Sequence, residues 1–182
     1  ENTEIADQPG GWDIEVPGLQ RANGMPVTVC DVSDGPHRGT IYVNWVDDRK
    51  GHYDVWFSKS TDKGKNWSKP KKINDDKGKA DQFFTWISCD PFTGYLYTVF
   101  YDRRNLDGLQ TDVYMAYSKD GGKHWTNEKI NEKTFVPNPL VFFGDYNDID
   151  AHNGMVRPIW TQMAADGGMS IWTAIVEFGN KE

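Results

Sequence analysis

The sequence contains 182 residues, with a formal net charge of −7 at neutral pH and a pI near 5.1. This acidic balance argues against nucleic acids and anionic membranes as bulk partners, and no apolar run reaches the roughly 18 residues needed to span a bilayer. Only 37% of the residues are hydrophobic, yet 14% are aromatic and 18 are glycine. The composition therefore favours many short strands and tight turns over helices.

The first twenty residues are predicted to form a short extension with a single strand. Asp7 to Trp12 is interpreted as a degenerate turn, and Trp12 to Val16 as the strand that follows it. The sequence opens on Glu1 without a methionine, so we expect a processed product. The extension, 1–20, is a candidate for a strand that completes a sheet elsewhere in the protein.

Three similar units follow, at 23–74, 79–131 and 139–180. The first two each contain four predicted strands, A to D, whereas the third ends after strand C. No segment of comparable length has the 3.6-residue apolar period of a helix. Matching positions hold a glycine that closes the A–B turn, a large aromatic residue on strand B, and an aspartate that ends strand A. They are Gly39, Gly94 and Gly154, then Trp45, Phe100 and Trp160, then Asp31, Asp90 and Asp150. The sequence predicts an all-β fold of repeated four-stranded antiparallel sheets.

One eight-residue pattern, S-x-D-x-G-x-x-W, occurs twice, at the turn between strands C and D. The aspartate is expected to accept hydrogen bonds from backbone N–H groups of the turn, and the glycine to supply a positive φ. The tryptophan is expected to be buried and to hold the returning strand. The residues are Ser60, Asp62, Gly64 and Trp67 in the first unit, and Ser118, Asp120, Gly122 and Trp125 in the second. Each copy predicts a tight C–D hairpin.

The octapeptide resembles the Asp-box of the sialidase (neuraminidase) and BNR-repeat family, which folds as a six-bladed β-propeller. The resemblance implies that each unit is a blade of four antiparallel strands. The chain then holds about three blades, half of a six-bladed propeller, since three blades alone do not close a ring. The extension 1–20 becomes the candidate for the strand missing from the last blade. Another half-propeller, as a separate chain or as a second copy in a homodimer, is the expected partner.

The resemblance also implies candidate site residues. The family holds the carboxylate of its substrate with three arginines, whose bidentate hydrogen bonds lysine does not reproduce. Two of these arginines follow strand B of successive blades, where this sequence has Arg49 and Arg104, with Arg103 beside the latter. The family's nucleophile is a tyrosine that opens the last blade. Tyr146, in the stretch from Phe143 to Ile149, is the matching residue.

The sequence also departs from the family pattern. The glutamate that assists the tyrosine should lie near Val27, where no acidic residue occurs. The family's first arginine and its acid/base aspartate belong to blades that this chain does not contain. Arg49 and Arg104 are equally interpreted as salt bridges between blades, and Tyr146 as a phenol bonded to a carbonyl. Two hypotheses therefore stand: the C-terminal half of a sialidase-like glycoside hydrolase, exo-acting on sialic acid or a similar anionic sugar, and a non-catalytic propeller that binds glycan or protein.

No cofactor and no metal are expected. The four histidines fall in turns without a spaced pair that would suit zinc, and no phosphate loop or dinucleotide fingerprint occurs. Cys30 and Cys89 occupy equivalent positions and are predicted to be small buried residues in separate units, unpaired with each other. The expected partners are a carbohydrate and another half-propeller, in a secreted or periplasmic protein.

Overall fold

The computed structural model describes residues 2–178, and all of the helix or strand structure within them is β-strand. The strands are β1 (Asp13–Ile14), β2 (Ala22–Asn23), β3 (Val27–Cys30), β4 (Ile41–Asp47), β5 (Asp54–Ser60), β6 (Lys71–Lys72), β7 (Gln82–Cys89), β8 (Leu96–Asp102), β9 (Asp112–Ser118), β10 (Thr126–Lys129), β11 (Asp148–His152), β12 (Met155–Met163), β13 (Met169–Thr173) and β14 (Val176–Glu177). Within the same residues, no helix is long and apolar enough to cross a membrane.

Three antiparallel sheets correspond to the three predicted units, and we name them blades one, two and three. Blade one has the strand order β3-β4-β5-β6, and blade two has the order β7-β8-β9-β10. In blade three, β11 pairs with one side of β12, while β13 and β14 pair with its other side. The prediction of four-stranded antiparallel blades is confirmed. Within residues 2–178, blade three has no strand outside β13 and β14, the place taken by β6 and β10 in the other blades.

The pairing register aligns the three blades residue by residue. In each blade, the large aromatic residue of the second strand lies opposite an aromatic residue of the third strand. These pairs are Trp45 with Trp56, Phe100 with Tyr114, and Trp160 with Trp172. The second-strand members are all buried, so the predicted shared core position is confirmed. Both members of the pair in blade one are buried, whereas Trp172 in blade three is exposed.

Buried polar groups join neighbouring blades. The side-chain amide of Asn44 in blade one donates to the hydroxyls of Thr85 and Thr98 in blade two, at 2.8 and 3.1 Å. The hydroxyl of Tyr101 in blade two donates to the carbonyl of Thr161 in blade three at 2.6 Å and accepts from the N–H of Thr161 at 3.1 Å. Because buried polar groups are costly when unpaired, these bonds fix how one blade sits on the next.

Asp90, which follows β7, caps two turns at once. Its carboxylate accepts hydrogen bonds from the N–H groups of Phe92 and Thr93 in its own turn. It also accepts from the N–H groups of Asn153 and Gly154 in the turn of blade three, at 3.1 and 2.7 Å. A single side chain therefore ties the A–B turn of one blade to that of the next.

The position of Asp90 is filled differently in the other blades. In blade one it is Asp31, whose Oδ2 would lie 2.9 Å from a Cβ placed on Gly94 of blade two. In blade three the predicted equivalence with Asp150 is wrong, because β11 continues to His152, which takes the aligned position. His152 instead packs edge-on against Phe92, with ring centroids 4.6 Å apart.

The two cysteines are both free, and they sit on equivalent strands as the sequence predicts. Cys30 ends β3, in which alternate side chains face solvent, so it is exposed and not buried as expected. Cys89 ends β7 and is half-buried. Burial is the main reason that the pKa of Cys89 is raised to about 12, so its thiol stays protonated near neutral pH.

Both octapeptides form the same hydrogen-bonded turn. In the first, the hydroxyl of Ser60 donates to Asp62 at 2.8 Å and accepts from the N–H of Gly64 at 2.9 Å. Asp62 also accepts from the side chain and the N–H of Asn66, and these bonds lower the pKa of Asp62 to about 2. The second turn repeats these contacts with Ser118, Asp120, Gly122 and His124. The predicted roles of the aspartate and the glycine are therefore seen in both turns, and the structure adds the serine hydroxyl as a further member of each turn.

The tryptophans of the two octapeptides are half-buried, not buried as the sequence predicts. The indole N–H of Trp67 donates to the carbonyl of Gly64 at 3.1 Å, within its own turn. Trp125 packs edge-on against Phe57 of blade one, with ring centroids 5.3 Å apart. The second turn therefore helps to join the blades as well as closing its own hairpin.

Residues 12–23 form a hairpin in which β1 pairs with β2, and we call it the leading hairpin. Ile14 and Val16 are buried in the same core as the blades. Within residues 2–178, the strand expected at Trp12 to Val16 thus pairs inside its own chain and extends none of the three blades. Its use by another copy would require it to leave this pairing.

Candidate functional site

The predicted site residues lie at one end of the blades, which we call the arginine face. β4 and β8 end here, at Asp47 and Asp102. Since the strands are antiparallel, β11 begins at the same end, after the loop 143–147. The leading hairpin packs on this face through Arg21, whose Nε lies 3.2 Å from Oδ1 of Asp145.

Arg49 is held by the aspartate that ends β4. Its Nε donates to both carboxylate oxygens of Asp47, at 2.8 and 3.0 Å, and its Nη2 bonds the same carboxylate and the carbonyl of Asp7. The guanidinium lies over the ring of Trp56, 4.8 Å from the centroid, and near that of Trp45. The hydrogen bond with Asp47 is the main reason that the pKa of Arg49 is raised. Its charge is therefore already paired within the chain.

Arg104 occupies the same place in blade two and is even more fully engaged. Its Nε donates to Asp102 at 2.7 Å, its Nη1 bonds Asp75, and its Nη2 donates to Asn127 at 3.0 Å. The guanidinium stacks over Tyr114, 4.4 Å from the ring centroid. All three nitrogens are used, and the side chain is buried. Arg104 therefore has a structural role, because it connects β8 to β10 and to the linker that contains Asp75.

A buried chain of hydrogen bonds runs behind the arginine face from blade one to blade two. Asn74 donates to Asp54 at 2.7 Å and to Gln82 at 2.6 Å. Gln82 donates to Asp102 at 3.1 Å, and Asp102 accepts from Arg104. Burial raises the pKa of Asp102 even though the charge of Arg104 opposes the shift. Arg104 is therefore the last member of a network that aligns two blades.

Arg103 differs from its neighbour because no carboxylate among residues 2–178 forms an ion pair with it. Its side chain donates to the carbonyl of Pro17 at 2.7 Å and to the hydroxyl of Thr111 at 3.1 Å. It lies over the ring of Phe83, 5.1 Å from the centroid. Only 5% of Arg103 is exposed, and its Nη2 has no hydrogen-bond partner in the described part of the chain. Burial lowers the pKa of Arg103. The charge of Asp81 opposes this shift, and Arg103 lies beneath the leading hairpin without a direct ion pair to any carboxylate of residues 2–178.

Tyr146 projects from the loop 143–147 and is 66% exposed. Its ring lies 5.9 Å from that of Trp86, at an angle of 43°. The neighbouring residue Asp145 is fixed by the ion pair with Arg21 and by a hydrogen bond of 3.0 Å from Asn23 to its carbonyl. The exposed ring of Tyr146, on this anchored loop, and the half-buried ring of Trp86, on β7, therefore form one aromatic surface.

A bulge in β7 places Trp86 on this surface. The register slips between Phe83 and Trp86, and Phe84 between them has a φ of 50°. This backbone conformation is uncommon for a residue other than glycine and marks local strain. Asn147 stabilises it, since its amide donates to the carbonyl of Phe84 at 2.8 Å.

The structure thus separates the predicted site residues. Within residues 2–178, no hydrogen bond, ion pair or ring contact joins Tyr146 to Arg49, Arg103 or Arg104. Reasoning from sequence also missed Arg21 and Trp86. Only a bulge in β7, which leaves no clear mark in the sequence, brings Trp86 beside Tyr146.

Successive four-stranded antiparallel sheets packed on one another are the blades of a β-propeller. Comparison with solved structures also identifies a β-propeller fold. Over 82% of the chain the fold matches a Hadza microbial sialidase, with a TM-score of 0.58, 15% identity and 34% of that chain covered. Over 94% it matches the α-L-arabinofuranosidase Arb93A from Fusarium graminearum, with a TM-score of 0.57, 14% identity and 48% of that chain covered.

A third match, over 93% of the chain, is a family 117 glycoside hydrolase from the marine bacterium Zobellia galactanivorans, with a TM-score of 0.50, 14% identity and 56% of that chain covered. No family model and no curated protein sequence matches the chain. The fold is a sialidase-like β-propeller fold, shared with other glycoside hydrolases. The chain spans about a third to a half of the length of the structures it matches.

Proposed function

We propose that the chain is the sugar-binding part of a sialidase-like glycoside hydrolase, acting on sialic acid or a similar anionic sugar. The observation that carries the proposal is the exposed surface formed by Trp86 and Tyr146 on the arginine face. Aromatic faces pack against the C–H groups of a sugar ring, and nearby polar groups set its orientation. Arg21 and Asp145 supply such groups beside this surface.

Among the three candidate arginines, the contacts favour Arg103 as the group that faces the sugar's carboxylate. Arg49 and Arg104 are already neutralised by Asp47 and Asp102. Arg103 has no ion pair within residues 2–178 and keeps one free Nη2. A buried guanidinium that makes no direct ion pair gains most from an incoming carboxylate. Nη1 of Arg103 donates to the carbonyl of Pro17. An incoming carboxylate would either displace this carbonyl or share the donor with it.

Tyr146 is the nucleophile in this proposal. No carboxylate of residues 2–178 accepts a hydrogen bond from its hydroxyl, and a tyrosine nucleophile requires a base to take its proton. The family's position for that base, near Val27, holds no acidic residue, so this proposal requires a base from another part of the propeller, along with the general acid. This fits a chain that contributes part of a complete, secreted or periplasmic propeller, closed either by another half-propeller or by a second copy.

A non-catalytic propeller that binds glycan or protein is the second candidate. The observation that favours it is the neutralisation of Arg49 and Arg104 by their own aspartates, which removes two of the three arginines expected to hold a carboxylate. Arg103 and the aromatic surface are enough for binding, but they do not supply proton transfer.

Tyr146 offers a pair of substitutions that separates the two candidates. Sialic acid binding by the full chain is measured by intrinsic fluorescence, and release of a fluorogenic sialoside by rate. We expect Tyr146→Ala to weaken binding about tenfold through loss of the stacked ring. Tyr146→Phe keeps the ring and should preserve binding, whereas any hydrolysis should disappear.

The exposed Leu140 supplies the control, since Leu140→Ala changes a solvated side chain near the same loop. Hydrolysis that survives in Tyr146→Phe would exclude Tyr146 as the nucleophile. Binding that is unchanged in Tyr146→Ala would overturn the aromatic surface as the sugar site. Native mass measured by light scattering tests the partner: twice the chain mass supports a homodimer, and the mass of one chain excludes it.

A further inference from the structure

The aligned blades differ in one cluster of four positions. In blade one, Trp45 and Trp56 face a guanidinium that Asp47 holds in place, and blade two repeats the arrangement with Arg104 over Tyr114. In both, the arginine comes two residues after the aspartate that ends the second strand.

Blade three keeps the aromatic residues and loses both charges. Trp160 pairs with Trp172 as Trp45 pairs with Trp56. The position of the aspartate is taken by Gln162, and the position of the arginine by Ala164. The indole N–H of Trp160 donates to Gln162 at 3.3 Å, just as that of Trp45 donates to Asp47 at 2.6 Å. The architecture is the same, with an alanine where the guanidinium would lie.

A cavity of about 640 Å³ lies at this position, and Trp160, Gln162, Ala164 and Trp172 line it together with the linker residues 130–134. Its size suits a small organic ligand. Trp172 is 46% exposed, unlike its buried counterpart in blade one. A hydrogen bond of 2.7 Å from its indole N–H to Ser170 fixes the orientation of the ring. The ring face is thus held in place and uncovered.

We propose that this cavity binds a neutral sugar ring, stacked on Trp172 in the place that arginine occupies in the other two blades. Arg49 and Arg104 show that a flat group packs at this position, 4.8 and 4.4 Å from the ring centroids. A cation would lack the buried carboxylate that holds it elsewhere, because Gln162 is uncharged. At the rim, Glu132 and Lys133 carry opposite charges. The amide of Gln162 already bonds Trp160 and the carbonyl of Lys133, so the hydroxyls of Ser170 and Thr173 and the aromatic face of Trp172 are the groups left to recognise an uncharged polyol.

The site shares no residue with the Trp86–Tyr146 surface, and its test is independent of the proposed activity. The full chain is titrated with neutral mono- and oligosaccharides (glucose, galactose, arabinose and their short oligomers) and separately with arginine amide, by ligand-observed NMR and by indole fluorescence. We expect neutral sugar binding, and a loss of about tenfold or more in affinity in Trp172→Ala, since the stacked ring is removed.

A second variant rebuilds the clamp of blade one inside blade three. Gln162→Asp combined with Ala164→Arg should place a guanidinium over Trp172, raise the melting temperature or leave it unchanged, and abolish sugar binding with Trp172 intact. Ile171→Ala, at an exposed neighbour on β13, is the matched control and should bind sugar as the natural chain does.

Three outcomes would overturn the proposal. The first is binding of arginine amide without any neutral sugar, which would make this a cation site. The second is the absence of sugar binding at millimolar concentration, and the third is sugar binding that survives in both Trp172→Ala and the rebuilt clamp. Loss of binding in both, with retention in Ile171→Ala, supports it.

Discussion

Gly122 of blade two lies directly against the ring of Phe57 in blade one. A Cβ atom on Gly122 would stand 2.3 Å from Cζ of Phe57, closer than two such atoms can approach. Gly122 also has a φ of 80°, so it meets a backbone requirement and a packing requirement at once. The glycine of the octapeptide is therefore part of the contact between two blades.

The aligned Gly64 allows the two requirements to be measured separately. Its φ is 84°, but a Cβ there would meet only ordinary contacts, at 3.9 Å. We expect Gly64→Ala to lower the free energy of unfolding by about 1 kcal/mol through backbone strain. Gly122→Ala should cost about 1–3 kcal/mol more, because Phe57 must also move. Urea denaturation measures both, and equal losses would show that Phe57 yields without cost.

Tyr101 and Tyr97 give a second matched pair, this time for hydrogen bonding. Both are buried, but only the hydroxyl of Tyr101 is bonded, to the N–H and carbonyl of Thr161 in blade three, while that of Tyr97 has no partner in residues 2–178. Tyr101→Phe should lower the free energy of unfolding by about 1–3 kcal/mol, since it leaves buried backbone groups unpaired. Tyr97→Phe should be neutral or stabilising. Thermal denaturation of the two variants decides, and a larger loss for Tyr97→Phe would contradict the contact between blades two and three.

The lowered pKa of Asp90 predicts how the free energy of unfolding depends on pH. Burial alone would raise the pKa of Asp90, but four backbone N–H groups more than offset it, so the pKa is lowered. A carboxylate with a depressed pKa stabilises the fold above its unfolded value of about 4, and this contribution is lost as the pH falls through the lower folded pKa. The free energy of unfolding should therefore decrease below about pH 4, and Asp90→Asn should flatten that decrease. An identical acid profile in both proteins would show that the cap contributes nothing.

Arg104→Lys tests whether this arginine is a strut or a substrate ligand. Lysine keeps the charge but replaces three directed hydrogen bonds and loses the planar stack on Tyr114. We expect a loss of about 1–3 kcal/mol in the free energy of unfolding, with sugar binding by the folded protein retained. Arg38→Lys is the control and should change little, because the bonds of Arg38 to Asp34 and to the carbonyls of Val32 and Ser33 all come from one nitrogen of an exposed side chain, which lysine can replace. An unchanged melting temperature with binding abolished would return Arg104 to the substrate site.

The repeats could be predicted from sequence because each blade solves the same packing problem with the same residues. Gly39, Gly94 and Gly154 close equivalent turns with positive φ, and the buried aromatic residue of each second strand recurs at matching positions. The arrangement of the arginine face could not be predicted, since it depends on contacts between distant segments. The bulge at Phe84 and the contact of Arg103 with Pro17 are examples.

The leading hairpin shows a second limit. Trp12 to Val16 has the alternation of a strand, and pattern alone does not say which strand it pairs with. Its partner, β2, has only two residues, Ala22 and Asn23, which is too short to predict by periodicity. Burial of Ile14 in the common core decides the pairing.

The hydrogen bonds that Asp90 makes to the turn of blade three depend on the order of the blades along the chain. Blades one and two each place an aspartate where it meets the turn of the following blade, whereas blade three has His152 there, committed to Phe92 behind it. The units are therefore not interchangeable modules: a gene rearrangement that exchanged the second and third would present an imidazole where a carboxylate is needed. Each repeat is therefore specific to its place in the chain.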